Sequence, residues 1–219
     1  MPLIIFTIFL VVFGMAIAVA KGKETITKKW EPIADYTLAM IGVFVGVTLA
    51  IYLTDMSKEY SERKKTVQLL TIVAEDLRRY KRDINRFPTI FGAFKEKYDS
   101  ENHNIAEFLN ENPRRFPELL YLLFNSEYAL SKLHPETIRQ LGATRANLLK
   151  MHEALHHNDF EDKQLQSNVK LIDLETKVAI KLVCLEIEYQ KGTVAYETMT
   201  KQQNEIMMER IQPRFRKTK

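Results

Sequence analysis

Residues 151–159 read MHEALHHND, and within them His152, Glu153 and His156 stand in H-E-x-x-H spacing. On a helix, positions four apart share one face. Two imidazoles can then reach a single zinc ion, with the intervening carboxylate beside it as a general base. Such chemistry makes further demands. The motif must lie in mid-helix, a third ligand must come from elsewhere, and a sheet edge must align a peptide substrate.

The surrounding sequence meets none of these demands. The helix is expected to stop at once, with His157 and Asn158 as a final turn and left-handed cap and Asp159 as the N-cap of the next helix. Histidines in a last turn gain from the helix dipole without any metal. The likeness to zinc metallopeptidases is confined to these five residues and departs just outside them, at Lys150 and Asn158. Glu175 is available as a third ligand on the following helix, but nothing singles it out. Structural histidines are the expected reading. A metal site without peptidase activity, and a peptidase using His152 and His156 with Glu153 as base, are the remote alternatives. No catalytic residue and no cofactor are expected, so the chain is read as something other than an enzyme. It has no glycine-rich phosphate loop, no G-x-S-x-G and no Cys-x-x-Cys. Its one cysteine, Cys184, sits in apolar IKLVCLEI and reads as a small buried hydrophobe suited to a reducing compartment.

The elements that would position any site begin with two greasy stretches. Leu3 to Ala20 and Tyr36 to Leu53 are each 18 residues without a charge. At about 1.5 Å per residue, each makes roughly 27 Å of helix, close to the thickness of a bilayer's hydrocarbon core. Trp30, Tyr36 and Tyr52 fall where interfacial aromatics are expected. Both stretches are read as transmembrane helices, forming a hairpin through the polar loop Lys21–Glu31. Ala18-Val19-Ala20 resembles a signal-peptidase site, but MPLIIF lacks a basic n-region, so a retained span is expected. Lys21, Lys23, Lys28 and Lys29 on one side balance Lys58, Arg63, Lys64 and Lys65 on the other. The later basic residues and the lack of a disulfide favour a cytoplasmic C-terminal domain.

Neither span carries a central ionisable residue, which argues against a proton relay or an ion-coupled transporter. Each carries small residues four apart: Gly14 and Ala18 in the first, Gly42, Gly46 and Ala50 in the second. Such faces let a second backbone approach closely, either within the hairpin or between subunits of a homo-oligomer.

With 219 residues, a net charge of +4 and only seven glycines and seven prolines, the rest reads as one helical domain. The expected fold is all-α. Residues 1–55 form the hairpin, 56–87 a stalk helix breaking near Pro88, 88–212 a helical bundle and 213–219 a basic tail. In the stalk, Tyr60, Val67, Leu70, Ala74, Leu77 and Ile84 keep helical spacing, widened by Leu69, Ile72 and Val73. Shorter helices are expected over 90–98, 105–111 and 117–133, then one from Pro135 and a last long one beginning after Asn158 and ending by Pro213, with Leu165, Val169, Ile172, Ala179 and Val183 on one stripe and Leu171, Leu174, Val178, Leu182, Leu185 and Tyr189 on another. Gly192 kinks that last helix or admits a partner. Arg63, Lys64, Lys65, Arg78, Arg79, Lys81, Arg82 and Arg86 make a basic patch for anionic lipid headgroups or nucleic acid, or one that is simply solvated. Direct nucleic-acid binding is not expected.

Two N-terminal spans, a charged stalk of the form SERKKTVQLLTIVAEDL and a compact helical domain resemble the layout of small bacterial membrane effectors of phage-defence systems, including the retron-associated type. The resemblance lies in layout and is closest over residues 1–87. It implies an effector held quiet by a regulatory protein or ribonucleoprotein partner, which on release perturbs the inner membrane and stops the infected cell. A membrane-anchored helical scaffold is the other reading.

Overall fold

A computed structural model of the chain describes residues 2–22, 30–98, 108–109, 112, 114–157 and 162–215. Among these residues every regular element is an α-helix: α1 (Pro2–Gly22), α2 (Glu31–Tyr98), α3 (Glu118–Asn125), α4 (Glu127–Lys132), α5 (Pro135–His157), α6 (Asp162–Gln190) and α7 (Tyr196–Phe215). The chain divides into two compact units, Met1–Glu62 and Arg63–Lys219.

The first unit contains α1 and the beginning of α2. Among the described residues one helix is long and apolar enough to cross a membrane, Pro32–Phe94, and none of its most apolar window is buried; Thr7–Lys21 is a shorter apolar helix. The side chains Val43, Phe44, Val47, Leu49 and Ile51 are all exposed. The hydroxyls here turn inward: Thr37, Thr48 and Thr54 donate to the carbonyls of Ile33, Phe44 and Ala50 at 2.8, 2.9 and 2.7 Å. This back-bonding hides the polar atom inside its own helix. An ion pair from Lys21 to Asp35 and the close approach at Gly14 join α1 to α2.

The second unit is built on the later part of α2. Leu70, Val73, Ala74, Leu77, Tyr80, Ile84, Phe87 and Phe91 are buried at intervals that keep to one helical face. Tyr60 and Ile72, expected on that stripe, are exposed. The long helix α6 packs against α5 on one side and α7 on another. Accordingly two stripes of α6 are engaged: Leu165, Val169, Ile172, Ala179 and Val183 are buried, as are Val178, Leu182 and Leu185 beside them, with Leu171, Leu174 and Tyr189 half-buried.

The element boundaries differ from expectation in four places. Helix α2 does not break at Pro88 but carries it internally. An internal proline costs about 3 kcal/mol through a lost hydrogen bond and a steric clash. Phe87 and Phe91 stack across this turn at 6.1 Å, and Phe108 meets both at 5.7 and 5.5 Å. Burying two phenylalanines at about 1.5–3 kcal/mol each offsets the penalty. The helix expected over 117–133 is two helices, because Ser126 stops α3 and its hydroxyl accepts from the Ala129 N–H at 3.2 Å to start α4.

The last helix is likewise two, and Gly192 ends α6 rather than kinking it. With φ 74°, Gly192 lets its own N–H reach the Tyr189 carbonyl at 2.9 Å and the Thr193 N–H reach the Glu188 carbonyl at 3.0 Å. That pair of bonds is a Schellman termination. Helix α7 then continues past the expected end at Pro213 to Phe215. Most of the helix expected over 105–111, the expected caps Asn158 and Asp159, and residues 216–219 of the basic tail lie outside the described residues.

A buried polar network pins α6 to its neighbours. The Glu186 carboxylate accepts from Thr137 Oγ1 at 2.5 Å, from Gln190 Nε2 at 2.8 Å and from the His134 N–H at 3.2 Å. Gln203 of α7 donates to the same Thr137 hydroxyl at 2.7 Å.

Candidate functional site

The H-E-x-x-H residues occupy the last turns of α5, where the periodicity that buries Leu141, Leu148 and Leu155 also turns His152 inward. Its Nδ1 lies 3.1 Å from the Tyr80 hydroxyl of α2, and its ring bonds to the main chain of Arg114. A neutral imidazole offers one N–H and one lone pair, so it donates to the Arg114 carbonyl and accepts from Tyr80. The rings of Phe116 and His156 stand 5.6 and 4.9 Å away. Burial lowers the His152 pKa to about 4, and the neighbouring His156 adds to the shift. Burial also pushes the Tyr80 phenol well above its usual range.

Glu153 is exposed, off the face that carries the histidines, and Glu175 is buried in an ion pair with Arg210 at 2.7 Å. Among the described residues no three His, Cys, Asp or Glu side chains converge as metal ligands. His152 instead ties α5 to α2 and to the chain segment entering α3.

In front of that tie lies a cleft of about 460 Å³. One wall is α2, through Asp76, Arg79, Tyr80 and Asp83, which recur at i, i+3, i+4 and i+7; the other is Arg114 to Leu119. Asp76 fixes the two walls together, its carboxylate accepting from the Leu119 N–H in the first turn of α3 at 3.1 Å. Pro117, which stands at the N-cap, makes no side-chain cap of its own. Arg114 lies over the Phe87 ring at 5.8 Å.

The expected basic patch is only partly a patch. Arg63, Lys64, Lys65, Arg78, Arg79, Arg82 and Arg86 are on the surface, but Lys81 is half-buried, 3.6 Å from Asp173. Asn85 donates to the same Asp173 carboxylate at 2.7 Å. Arg78 donates to Cys184 Sγ at 3.5 Å, so the cysteine is half-buried beside a guanidinium rather than enclosed by hydrocarbon alone.

The small residues of the first unit separate into two kinds. A Cβ on Gly14 would meet Ile41 at 3.4 Å and Leu38 at 3.9 Å, so Gly14 is where α1 approaches α2. Gly42 and Gly46 have nothing within 4 Å of such a Cβ, and Ala18 and Ala50 are exposed.

Comparison with protein-family models, curated proteins and solved structures finds no match for this chain.

The histidine pair and the arginines are visible in the sequence, but the cleft is not. Its walls lie more than thirty residues apart, and the bond that joins them, Asp76 to Leu119, spans 43 positions. The one local signal is the i, i+3, i+4, i+7 run of polar residues on α2, set against Arg114-Arg115-Phe116-Pro117.

Proposed function

We propose that the chain is a membrane-embedded effector of the bacterial inner membrane. In this reading α1 and the start of α2 form a two-span transmembrane hairpin, the spans self-associate and perturb the bilayer, and the helical bundle on the cytoplasmic side is controlled by a regulatory protein or ribonucleoprotein. One observation carries the reading: α2 is a single helix whose early apolar window is wholly unburied and whose later residues form the core of the second unit. An exposed run of that length and polarity is stable in hydrocarbon and unfavourable in water. The open face of Gly42, Gly46 and Ala50 supports self-association, since α1 makes its approach at Gly14 instead.

The test is Gly42→Leu with Gly46→Leu. A Cβ at either position meets nothing within 4 Å, so expression and helicity are expected to hold while growth arrest and dye leakage on induction fall. Undiminished toxicity at equal expression refutes the packing step.

A second reading, a non-toxic membrane-anchored scaffold, is favoured by the exposed Tyr121, Leu122 and Tyr128 of α3 and α4, a surface suited to a protein partner. Overexpression separates the two, because an anchor leaves the membrane potential intact.

A further inference from the structure

The polar groups of the cleft in front of His152 are unequally satisfied. Asp76 is engaged with the Leu119 N–H at 3.1 Å, and Glu118 faces Arg115 at 3.9 Å. Arg79 and Asp83 stand four apart on α2, a spacing at which opposite charges ordinarily meet, yet among the described residues neither makes a hydrogen bond or ion pair. Arg114 rests on the Phe87 ring, and its buried Nε has no acceptor among the described residues. Among the described residues, two guanidiniums and one carboxylate therefore line the opening with no ion pair, beside the apolar wall of Phe116.

We propose that this cleft binds a small phosphorylated ligand of the nucleoside-phosphate class. A volume of about 460 Å³ is that of a pocket which encloses a small molecule. Arg79 and Arg114 present planar donors that match phosphate oxygens in pairs, which a lone ammonium does not. Asp83 supplies an acceptor for a ribose hydroxyl or a base amino group, which inorganic phosphate lacks. Phe116 supplies a ring on which a base stacks. The His152 bridge holds the site's geometry, since it grips both Tyr80 and the Arg114 main chain. A long nucleic acid would instead engage the exposed Arg82 and Arg86 of α2, so the arginines that matter distinguish the two ligands. The inference stands apart from the membrane reading, as all of its residues belong to the second unit.

The test uses the full chain in detergent micelles and titration calorimetry with ATP, ADP, pyrophosphate and a short RNA. The expected result is saturable one-site binding of a nucleotide. Arg79→Gln and Arg114→Gln each weaken it tenfold or more, whereas the pair Arg82→Gln and Arg86→Gln changes it less than twofold. Pyrophosphate binds at least tenfold more weakly than the nucleotide, and only the nucleotide is weakened by Asp83→Asn. Arg79 is exposed, so if Arg114→Gln loses helicity by circular dichroism, Arg79→Gln alone decides the outcome. The proposal is overturned if neither nucleotide binds saturably, if Arg79→Gln binds as tightly as wild type, or if only RNA binds and does so through Arg82 and Arg86.

Discussion

The clearest quantitative test concerns His152. In the unfolded chain its imidazole titrates near 6.5, whereas burial in the folded protein lowers the pKa to about 4. Between those values the unfolded chain binds the proton and the folded chain does not. The sign follows directly: the contribution is fully present above pH 6.5, declines as pH falls through this window, and is gone below about pH 4. Integrating the two titrations from pH 7 to pH 5 gives a loss of about 2 kcal/mol from this one side chain. The comparison protein is Tyr80→Phe with His152→Leu, which removes the titrating ring and the hydroxyl that pairs with it, leaving no orphaned partner between them. Denaturant unfolding of both proteins in micelles, at pH 7 and pH 5, isolates the effect, because every other carboxylate and histidine is common to both. Wild type is expected to lose about 2 kcal/mol more than the double variant on acidification. Equal losses would refute the assignment of His152 as a buried neutral imidazole.

Other perturbations have equally definite outcomes. Gly192→Ala places a Cβ in the left-handed region and is expected to cost about 1–2 kcal/mol, read as a lower melting temperature. Arg210→Ala removes the guanidinium facing buried Glu175 and is expected to cost about 3–5 kcal/mol in denaturant unfolding, while an exposed control such as Arg115→Ala changes little. Ser126→Ala deletes the cap of α4 and is expected to cost about 1 kcal/mol, with faster amide exchange confined to Glu127–Lys132. Zinc added at stoichiometric amounts is expected to leave the melting curve unchanged, because His152 is already engaged with Tyr80 and Arg114; a rise of several degrees would restore the metal reading.

What the sequence makes legible is whatever depends on local periodicity. The run Leu70, Ala74, Leu77 and Ile84 announces a buried face, and the double stripe on α6 announces a helix with two neighbours. Expectation and structure part where a local rule meets a distant partner. Proline at 88 is a helix breaker by every neighbour-level criterion, but the aromatic contacts of Phe87 and Phe91 with Phe108 outweigh it, and a ring twenty positions away leaves no mark on the 3.6-residue pattern. Ser126 is a residue type that caps helices, yet the apolar spacing runs straight through it and masks the break. For Gly192, whether a glycine bends a helix or ends it turns on the sign of its φ, which composition does not reveal. The histidine motif shows the same limit. Which way Glu153 points follows from helix geometry, while the meeting of His152 with Tyr80, 72 positions away, comes only from the packing of α5 on α2.

For the self-association proposed above, the inward-bonded threonines of the first unit set how neighbouring copies would recognise one another. Because Thr37, Thr48 and Thr54 satisfy their hydroxyls on their own carbonyls, this length of helix offers a lateral neighbour contour but almost no polar grip. Adhesion along it then depends on the fit of bare surfaces, so trading a threonine for valine leaves it indifferent, whereas one methyl group grown on Gly42 or Gly46 spoils it.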